Sequence, residues 1–180
     1  MTSIPADALH ETWESVYDKS VELARMIEAH CEATGDQFDS IVLVPRGSYY
    51  PVNIIARELG FGAPDLLHAS VTSYEAGTTN RKVAFELGQM PEPKHVVGKH
   101  LLIIDEVCET GYTLDFLTKW LTEHGAAEVK VAVLHYKPSR SQTNFKPDWF
   151  VAQTDRWIVY PWEINEKPNH SSKVKRSVKR

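Results

Sequence analysis

Residues 101–114 read LLIIDEVCETGYTL and place three carboxylates and a Thr-Gly turn between an apolar run and a helical pattern. Asp105 and Glu106 come directly after the apolar run, and Glu109 follows three residues later. The next four residues would present hydroxyls and backbone N–H groups at a helix start, which binds phosphate without a basic side chain. These phosphate-binding candidates are Thr110, Gly111, Tyr112 and Thr113. Carboxylates beside a phosphate need a cation or sugar hydroxyls between the like charges, so the segment predicts Mg²⁺ and a ribose diol at Asp105 and Glu106.

A plainer interpretation of this segment is a helix cap with acidic neighbours. Thr110 could be the N-cap residue, and Asp105 and Glu106 could be solvated loop charges. Strand, acidic pair, third acid, Thr-Gly turn and helix nevertheless occur here in that order. Because open α/β sheets bind ligands at the carboxyl ends of their strands, we favour the functional interpretation.

Alternation of short apolar runs with helical patterns predicts an α/β fold with a parallel sheet and flanking helices. The predicted strands are residues 41–44, 101–104 and 129–134, with a weaker one at 67–74. The predicted helices are residues 6–31, 52–59 and 114–124, and glycines at 35, 60, 62 and 125 would end them. Residues 75–89 have no steady period and predict a loop, set on a hairpin.

The predicted organisation has four parts: an N-terminal helix (1–35), a core (36–137), a small C-terminal hood (138–166) and a basic tail (167–180). After residue 137, prolines, tryptophans and short segments replace the regular alternation, which indicates an appendage packed over the sheet edge. The tail is polar and basic, and we expect it to be disordered.

Composition narrows the class of protein. The chain has 180 residues, 42% of them apolar and 24% charged, which is typical of a globular domain. A net charge of −4 gives no field that favours nucleic acid or an anionic membrane. The two cysteines, Cys31 and Cys108, form neither a disulfide framework nor a metal motif, and no signal peptide or membrane-length apolar run is evident. We therefore expect a cytoplasmic protein without membrane or nucleic-acid partners.

The segment 101–114 resembles the phosphoribosyl-diphosphate (PRPP) motif of type I phosphoribosyltransferases. In that family two acids hold the ribose hydroxyls and help to place Mg²⁺, and the Thr-Gly loop holds the 5-phosphate. A third acid, here Glu109, lies near the imidazole side of the base and takes its proton. Glutamate stands at 106 and 109, where the family usually has aspartate. The resemblance implies the type I phosphoribosyltransferase fold.

The sequence Val-Pro-Arg-Gly-Ser at residues 44–48 follows the first predicted strand. Arg46 offers a forked cation for phosphate, and Gly47 lets the backbone come close. In the family this loop grips pyrophosphate and often holds a non-proline cis peptide. The alternative is an ordinary strand–helix turn.

Residues 72–82 resemble the flexible lid that closes over pyrophosphate in purine phosphoribosyltransferases and excludes water. The alternative is a surface hairpin with incidental charges. The residues that the resemblance assigns to pyrophosphate here are Ser73, Tyr74, Arg81 and Lys82.

Lys137, Trp157 and Ile158 resemble the base site of xanthine–guanine and hypoxanthine phosphoribosyltransferases. There a lysine donates to the purine 6-oxo group, an aromatic residue stacks on the ring, and neighbouring backbone reads the 2-position. A lysine also discriminates against adenine, whose 6-amino group is itself a donor. For Trp157 the alternative is packing within the hood.

Together these resemblances imply an enzyme of purine salvage. It would transfer the 5-phosphoribosyl group from PRPP to guanine, xanthine or hypoxanthine, giving a nucleoside monophosphate and pyrophosphate, with Mg²⁺ as cofactor. The family usually forms dimers or tetramers, which implies a homo-oligomer. Two alternatives stay open: a catalytically weak regulator that senses PRPP or nucleotides, and a transferase for orotate or adenine. Retention of the lid, the Arg46 loop and Lys137 argues against the first, and Lys137 with Trp157 argues against the second.

Overall fold

A five-stranded parallel sheet forms the centre of the larger of two compact units, Glu14–Asp155. The computed structural model describes residues 4–76 and 82–164, with the backbone alone for 73–76 and 82–84. The strands are β1 (Leu9–His10), β2 (Ser40–Leu43), β3 (Leu66–His68), β4 (Val71–Ala76), β5 (Lys82–Leu87), β6 (His100–Cys108), β7 (Glu128–Tyr136), β8 (Trp149–Gln153) and β9 (Ile158–Val159). The helices are α1 (Trp13–Thr34), α2 (Tyr49–Glu58) and α3 (Tyr112–Glu123). Short 3-10 turns cover Ala63–Asp65, Pro93–His95 and Pro138–Arg140.

The strand order in the main sheet is β3-β2-β6-β7-β8, and every neighbouring pair is parallel. Leu43 at the end of β2 aligns with His68 on β3 and with Ile104 on β6. The loops that follow these strands therefore emerge along one edge. The predicted parallel α/β architecture is confirmed.

The apolar runs that predicted strands are buried on both faces of the sheet. On β6, all four residues from Leu101 to Ile104 are fully inaccessible to solvent. Helix α3 covers one face of the sheet with Leu114, Leu117 and Leu121, which share a core cluster with residues of β6 and β7. Burial of each leucine contributes roughly 1.5–3 kcal/mol, so this contact fixes α3 and the turn that precedes it.

β6 is longer than its apolar run predicts. Pairing with β7 continues through Asp105–Val133, Val107–His135 and Cys108–Tyr136. The acidic pair is therefore part of the central strand and not of a loop after it, as the sequence analysis expected. The physical reason is that the backbone ladder with β7 holds these residues extended although their side chains are polar.

β4 and β5 form an antiparallel hairpin in which Val71 pairs with Leu87 and Ala76 with Lys82. Most of the segment predicted as a loop at 75–89 is therefore strand, and the weak strand predicted at 67–74 is two strands, β3 and β4. Phe85 of the hairpin stacks on Phe116 of α3 with ring centroids 4.1 Å apart. This stack attaches the base of the hairpin to the helix.

The described part of the smaller unit consists of residues 4–13 and 156–164. Its strands β1 and β9 pair in parallel, and the Arg156 guanidinium donates to the carbonyls of Asp7 at 2.6 Å and Ala8 at 3.1 Å. The predicted helix at 6–31 is wrong at its start, because residues 9–10 are drawn into this pairing and α1 begins at Trp13. The predicted tail, residues 167–180, lies outside the described residues.

β8 is the fifth strand of the main sheet, although its residues lie in the segment predicted as the hood. Within residues 4–76 and 82–164, no helix combines the length and apolar character needed to cross a membrane.

Candidate active site

The acidic pair lies at the carboxyl end of β6, the central strand of the sheet. Asp105 Oδ1 accepts the backbone N–H of Glu106 at 2.9 Å. Burial of the Asp105 carboxyl raises its pKa well above the usual range, and the neighbouring Glu106 charge and side-chain hydrogen bond raise it further. Two carboxylates crowded in this way favour a ligand that brings positive charge or hydroxyl donors.

A tight turn connects β6 to α3. Gly111 is the N-cap residue of α3, in the left-handed region at φ 82°, ψ −14°. The first helical hydrogen bond runs from the Asp115 N–H to the Gly111 carbonyl at 2.9 Å. The N–H groups of residues 112–114 therefore lie in the first turn of the helix, ahead of its first hydrogen bond, where helices bind anions. The plainer interpretation, with Thr110 as the N-cap, is wrong because the cap position belongs to a residue without a side chain.

A cavity of about 130 Å³ opens at this turn. It is lined by Asp105, Val107, Cys108, Glu109, Thr110, Gly111, Thr113 and Leu114. Asp105, Glu109 and the residues of the turn thus border one space, which suits a phosphate ester that also carries hydroxyl groups.

The loop after β2 approaches strand β6 at close range. The peptide bond between Pro45 and Arg46 is cis, as the family resemblance implied. A Cβ atom placed on Gly47 would overlap the carboxylate of Glu106. Glycine at position 47 therefore accommodates the close approach of this loop to β6, and the exposed Arg46 lies directly beside it in sequence.

Lys137 and Glu109 form an ion pair with the Lys137 Nζ 3.2 Å from the Glu109 Oε2. The two residues are 28 positions apart, and the parallel pairing of β6 and β7 brings them together. The Lys137 N–H donates to the Cys108 carbonyl at 2.9 Å, which fixes the lysine at the end of β7. The Lys137 side chain is 5% exposed and that of Glu109 is 40% exposed. The ammonium is thus held inside the protein while its partner faces solvent.

The remaining predicted site residues belong to the hairpin segment and to the smaller unit. Ser73 and Tyr74 are in β4 and Lys82 begins β5, whereas Arg81 lies outside the described residues. Trp157 and Ile158 belong to the smaller unit. The Trp157 ring is half-exposed, its carbonyl accepts the Leu9 N–H at 2.7 Å, and Ile158 is buried in β9.

Val107 and Leu114 form an apolar wall of the cavity that was not predicted from the sequence. Val107 lies between Asp105 and Glu109 at the spacing of two that places strand residues on one face, so the alternation could have revealed it. Cys108 is 2% exposed and packs in the core cluster. Burial and the charge of Asp105 raise the pKa of its thiol to about 12, so it stays protonated and fills space rather than acting as a nucleophile.

Magnesium fits the donor set at Asp105 and Glu106. Across residues 4–76 and 82–164 the side chains form no cluster of three or more metal-binding groups. Mg²⁺ is commonly held by one or two carboxylates, with substrate oxygens and water completing its shell. The crowded acidic pair offers that partial set and no closed protein cage.

These features define a type I phosphoribosyltransferase fold. It has a parallel sheet with an acidic pair on its central strand, and the strand is followed by a turn at residues 110–113 of the kind that binds phosphate, the phosphate-type turn. Residues 12–168 match the phosphoribosyl transferase domain, and the chain belongs to that family.

Relatives place the chain among the purine enzymes of the family. It is 26% identical over 156 residues to a xanthine-guanine phosphoribosyltransferase of Idiomarina loihiensis, covering 86% of each chain. It is 30% identical over 137 residues to a hypoxanthine phosphoribosyltransferase of Haemophilus influenzae, covering 74% of each. The crystal structure of a purine phosphoribosyltransferase from Pyrococcus horikoshii superposes with a TM-score of 0.71 at 28% identity, covering 91% of this chain and 97% of that one. The protein is thus a phosphoribosyltransferase of the purine type.

Proposed function

We propose that this enzyme transfers the 5-phosphoribosyl group of PRPP to a 6-oxopurine and releases pyrophosphate. The observation that carries the proposal is the buried ammonium of Lys137, 3.2 Å from the Glu109 carboxylate beside the cavity. This ion pair places a hydrogen-bond donor, the Lys137 ammonium, next to an acceptor, the Glu109 carboxylate. The relatives are xanthine-guanine and hypoxanthine phosphoribosyltransferases, whose bases are all 6-oxopurines, and this supports the same class of substrate here.

The ion pair matches the edge of a 6-oxopurine. The ring presents the acceptor O6 next to N7, which carries a proton in one tautomer of the free base. Lys137 would donate to O6, and Glu109 would accept the proton from N7. Adenine places a donor where O6 stands, which would leave the buried ammonium facing another N–H group. The stacking and 2-position roles that the family resemblance gives to Trp157 and Ile158 stay predictions.

The cavity side of β6 would hold the sugar phosphate. Asp105 and Glu106 would accept hydrogen bonds from the ribose hydroxyls, and the turn at residues 110–113 would donate N–H groups and hydroxyls to the 5-phosphate. Asp105 and Glu106 would also hold Mg²⁺, which when bound offsets the negative charge of the pyrophosphate.

Bond changes in the transfer are balanced between the two substrates. The C1–O bond to pyrophosphate breaks and its electron pair leaves with the oxygen, while N9 of the base forms the new bond to C1. The proton released from N7 passes to the Glu109 carboxylate. Little covalent work falls to the protein, so its contribution is positioning and charge stabilisation.

Departure of pyrophosphate would depend on Arg46 and on the hairpin. Arg46 is exposed and follows the cis peptide, where its guanidinium can form two hydrogen bonds to phosphate. Ser73, Tyr74, Arg81 and Lys82 remain candidates for closing over the same group. We further expect a cytoplasmic homo-oligomer, a dimer or tetramer, that acts in purine salvage.

A panel of bases tests the proposal directly. The protein is mixed with PRPP, Mg²⁺ and each of guanine, xanthine, hypoxanthine, adenine and orotate, and pyrophosphate release is measured. We expect release with 6-oxopurines and at least about 100-fold lower kcat/KM with adenine. Nucleotide binding without release from any base would favour a regulator, and a preference for orotate or adenine would overturn the base assignment.

Gly47→Ala should raise the KM for PRPP about tenfold, because the new Cβ must push the Glu106 carboxylate aside. The fold should survive, since the displaced group is the end of a side chain. Steady-state kinetics and a melting curve check both points. Gly62→Ala is the matched control, because its nearest neighbour, Asp65 Oδ2, would be at an ordinary 3.4 Å. An unchanged KM for PRPP in Gly47→Ala would show that Glu106 has no part in binding.

A further inference from the structure

A loop distant in sequence packs against the phosphate-type turn. The Gln142 N–H donates to the Thr110 carbonyl at 2.9 Å. The hydroxyl of Thr143 occupies the space that a Cβ atom at Gly111 would fill, and Phe145 Cβ and Ser141 Oγ lie just beyond it. The turn is therefore bounded by residues 141–145, which we term the bracing loop.

The bracing loop is itself fixed by three interactions. The Ser141 hydroxyl donates to the Thr143 carbonyl at 2.8 Å. The Thr143 hydroxyl oxygen accepts the Phe145 N–H at 3.2 Å, so its position beside Gly111 is set by the loop backbone. Phe145 packs against the core cluster that contains Leu114 of α3. Gly111 is therefore held against the core in two ways, through α3 and through its contact with the bracing loop.

We propose that Thr143 is a positioning residue for the phosphate-binding turn. It acts through Gly111: its hydroxyl keeps the turn in the left-handed conformation that aims the N–H groups of residues 112–114 at one point. The proposal rests on the phosphate-binding role given to the turn under the proposed function. The resemblance to the family assigned no role to residues 141–145.

The bracing loop also ties the turn to the base-reading lysine. Lys137 donates its N–H to Cys108, and five residues later Gln142 donates to Thr110. One short segment is therefore bonded twice to the end of β6, on either side of Glu109. Thr143 lies beside Gly111, whereas Lys137 contacts Cys108 and Glu109, so a local change at Thr143 should affect PRPP more than the base.

Thr143→Val tests the proposal because it keeps the branched shape and removes the hydroxyl. Loss of the hydrogen bond from the Phe145 N–H, about 1 kcal/mol, would loosen Thr143 beside Gly111 and predicts up to about fivefold weaker binding of ribose 5-phosphate by calorimetry, with a similar rise in the KM for PRPP. The KM for the base should change less than twofold. Thr143→Ser, which keeps the hydroxyl, should restore PRPP binding, and Ser139→Ala on the exposed 3-10 turn is the control.

The outcomes separate this proposal from the one on which it rests. If wild type does not bind ribose 5-phosphate, the phosphate site itself is wrong. If wild type binds it and Thr143→Val binds equally well, or raises both KM values equally, the bracing role is wrong.

A second variant addresses the backbone bond. Gln142→Pro removes the N–H that Thr110 accepts, and Ser141 at φ −59°, ψ 131° already has a conformation suited to precede proline. Gln142→Ala changes the exposed side chain and keeps the N–H. Weaker ribose 5-phosphate binding in the proline variant alone supports the proposal, and equal binding in both contradicts it. If the proline variant does not fold, the Thr143 pair decides.

Discussion

Asp105→Asn is expected to lower kcat/KM by about 1,000-fold while leaving the protein at least as stable as wild type. Asparagine keeps an oxygen for the Glu106 N–H but loses the charge that would hold ribose hydroxyls and the cation. The pKa of Asp105 is raised by burial and by Glu106, so its ionised form costs stability at neutral pH, and the amide removes that cost. Pyrophosphate release and a calorimetric Tm measure the two effects.

Asp36→Asn is the contrasting control. A hydrogen bond from His30, and a further one from Thr34, lower the pKa of Asp36, so its carboxylate stabilises the fold when ionised. This variant should lose a little stability and keep full turnover. If Asp105→Asn retains substantial turnover, or if its Tm falls well below that of wild type, the role given to the acidic pair is wrong.

Lys137→Met should lower kcat/KM for 6-oxopurines about 100-fold, with little change in the KM for PRPP. Methionine fills the buried space of the lysine stem without its charge. Removing one partner of a buried ion pair usually destabilises a protein because the other charge is left buried. Here the remaining partner, Glu109, has a side chain 40% exposed and is solvated by water. Kinetics with guanine, xanthine and hypoxanthine, together with a melting curve, check the prediction.

Lys146→Met is the matched control, because Lys146 is exposed and lies over the Phe150 ring at 5.8 Å, away from Glu109. Its kinetics should stay within twofold of wild type. Equal losses for the base and for PRPP in Lys137→Met would indicate a structural role for the lysine and contradict base recognition.

Local signals in the sequence predicted the core of the fold. The apolar runs at 101–104 and 129–134 lie in strands of the main sheet, as does the run at 41–44 except for its last residue, Val44. Glycines at 35, 60 and 125 follow the three helices with φ of 80°, 78° and 94°, a conformation that other residues rarely adopt. These features succeed because apolar burial and backbone freedom act over a few neighbouring residues.

Elements that depend on distant partners were missed. β1 has two residues and exists through pairing with β9, about 150 positions away. β8 is short and follows Pro147, so its neighbours in sequence favour a loop whereas β7 draws it into the sheet. The hairpin was predicted but its second strand was not: Val83, Phe85 and Leu87 alternate in sequence as a strand should, and the polar residues before them obscured the pattern.

The candidate site divides in the same way. Asp105, Glu106 and the turn at residues 110–113 follow one another along the chain, so their type and order predicted them as one unit. The contact between Lys137 and Glu109 depends on two neighbouring strands ending together, and the support of Gly111 by Thr143 depends on a loop about 30 residues later. Spacing alone predicts neither contact.

The unequal burial of Lys137 and Glu109 has a consequence for hydration. The ammonium is stripped of water when the chain folds, whereas the carboxylate keeps part of its shell. A base bound as proposed would therefore meet a donor that is already shielded from water, and most of the water to be displaced would lie at Glu109. Reorganisation on binding would then be confined to one side of the pair, so the lysine would be a preorganised donor for the atom placed against it.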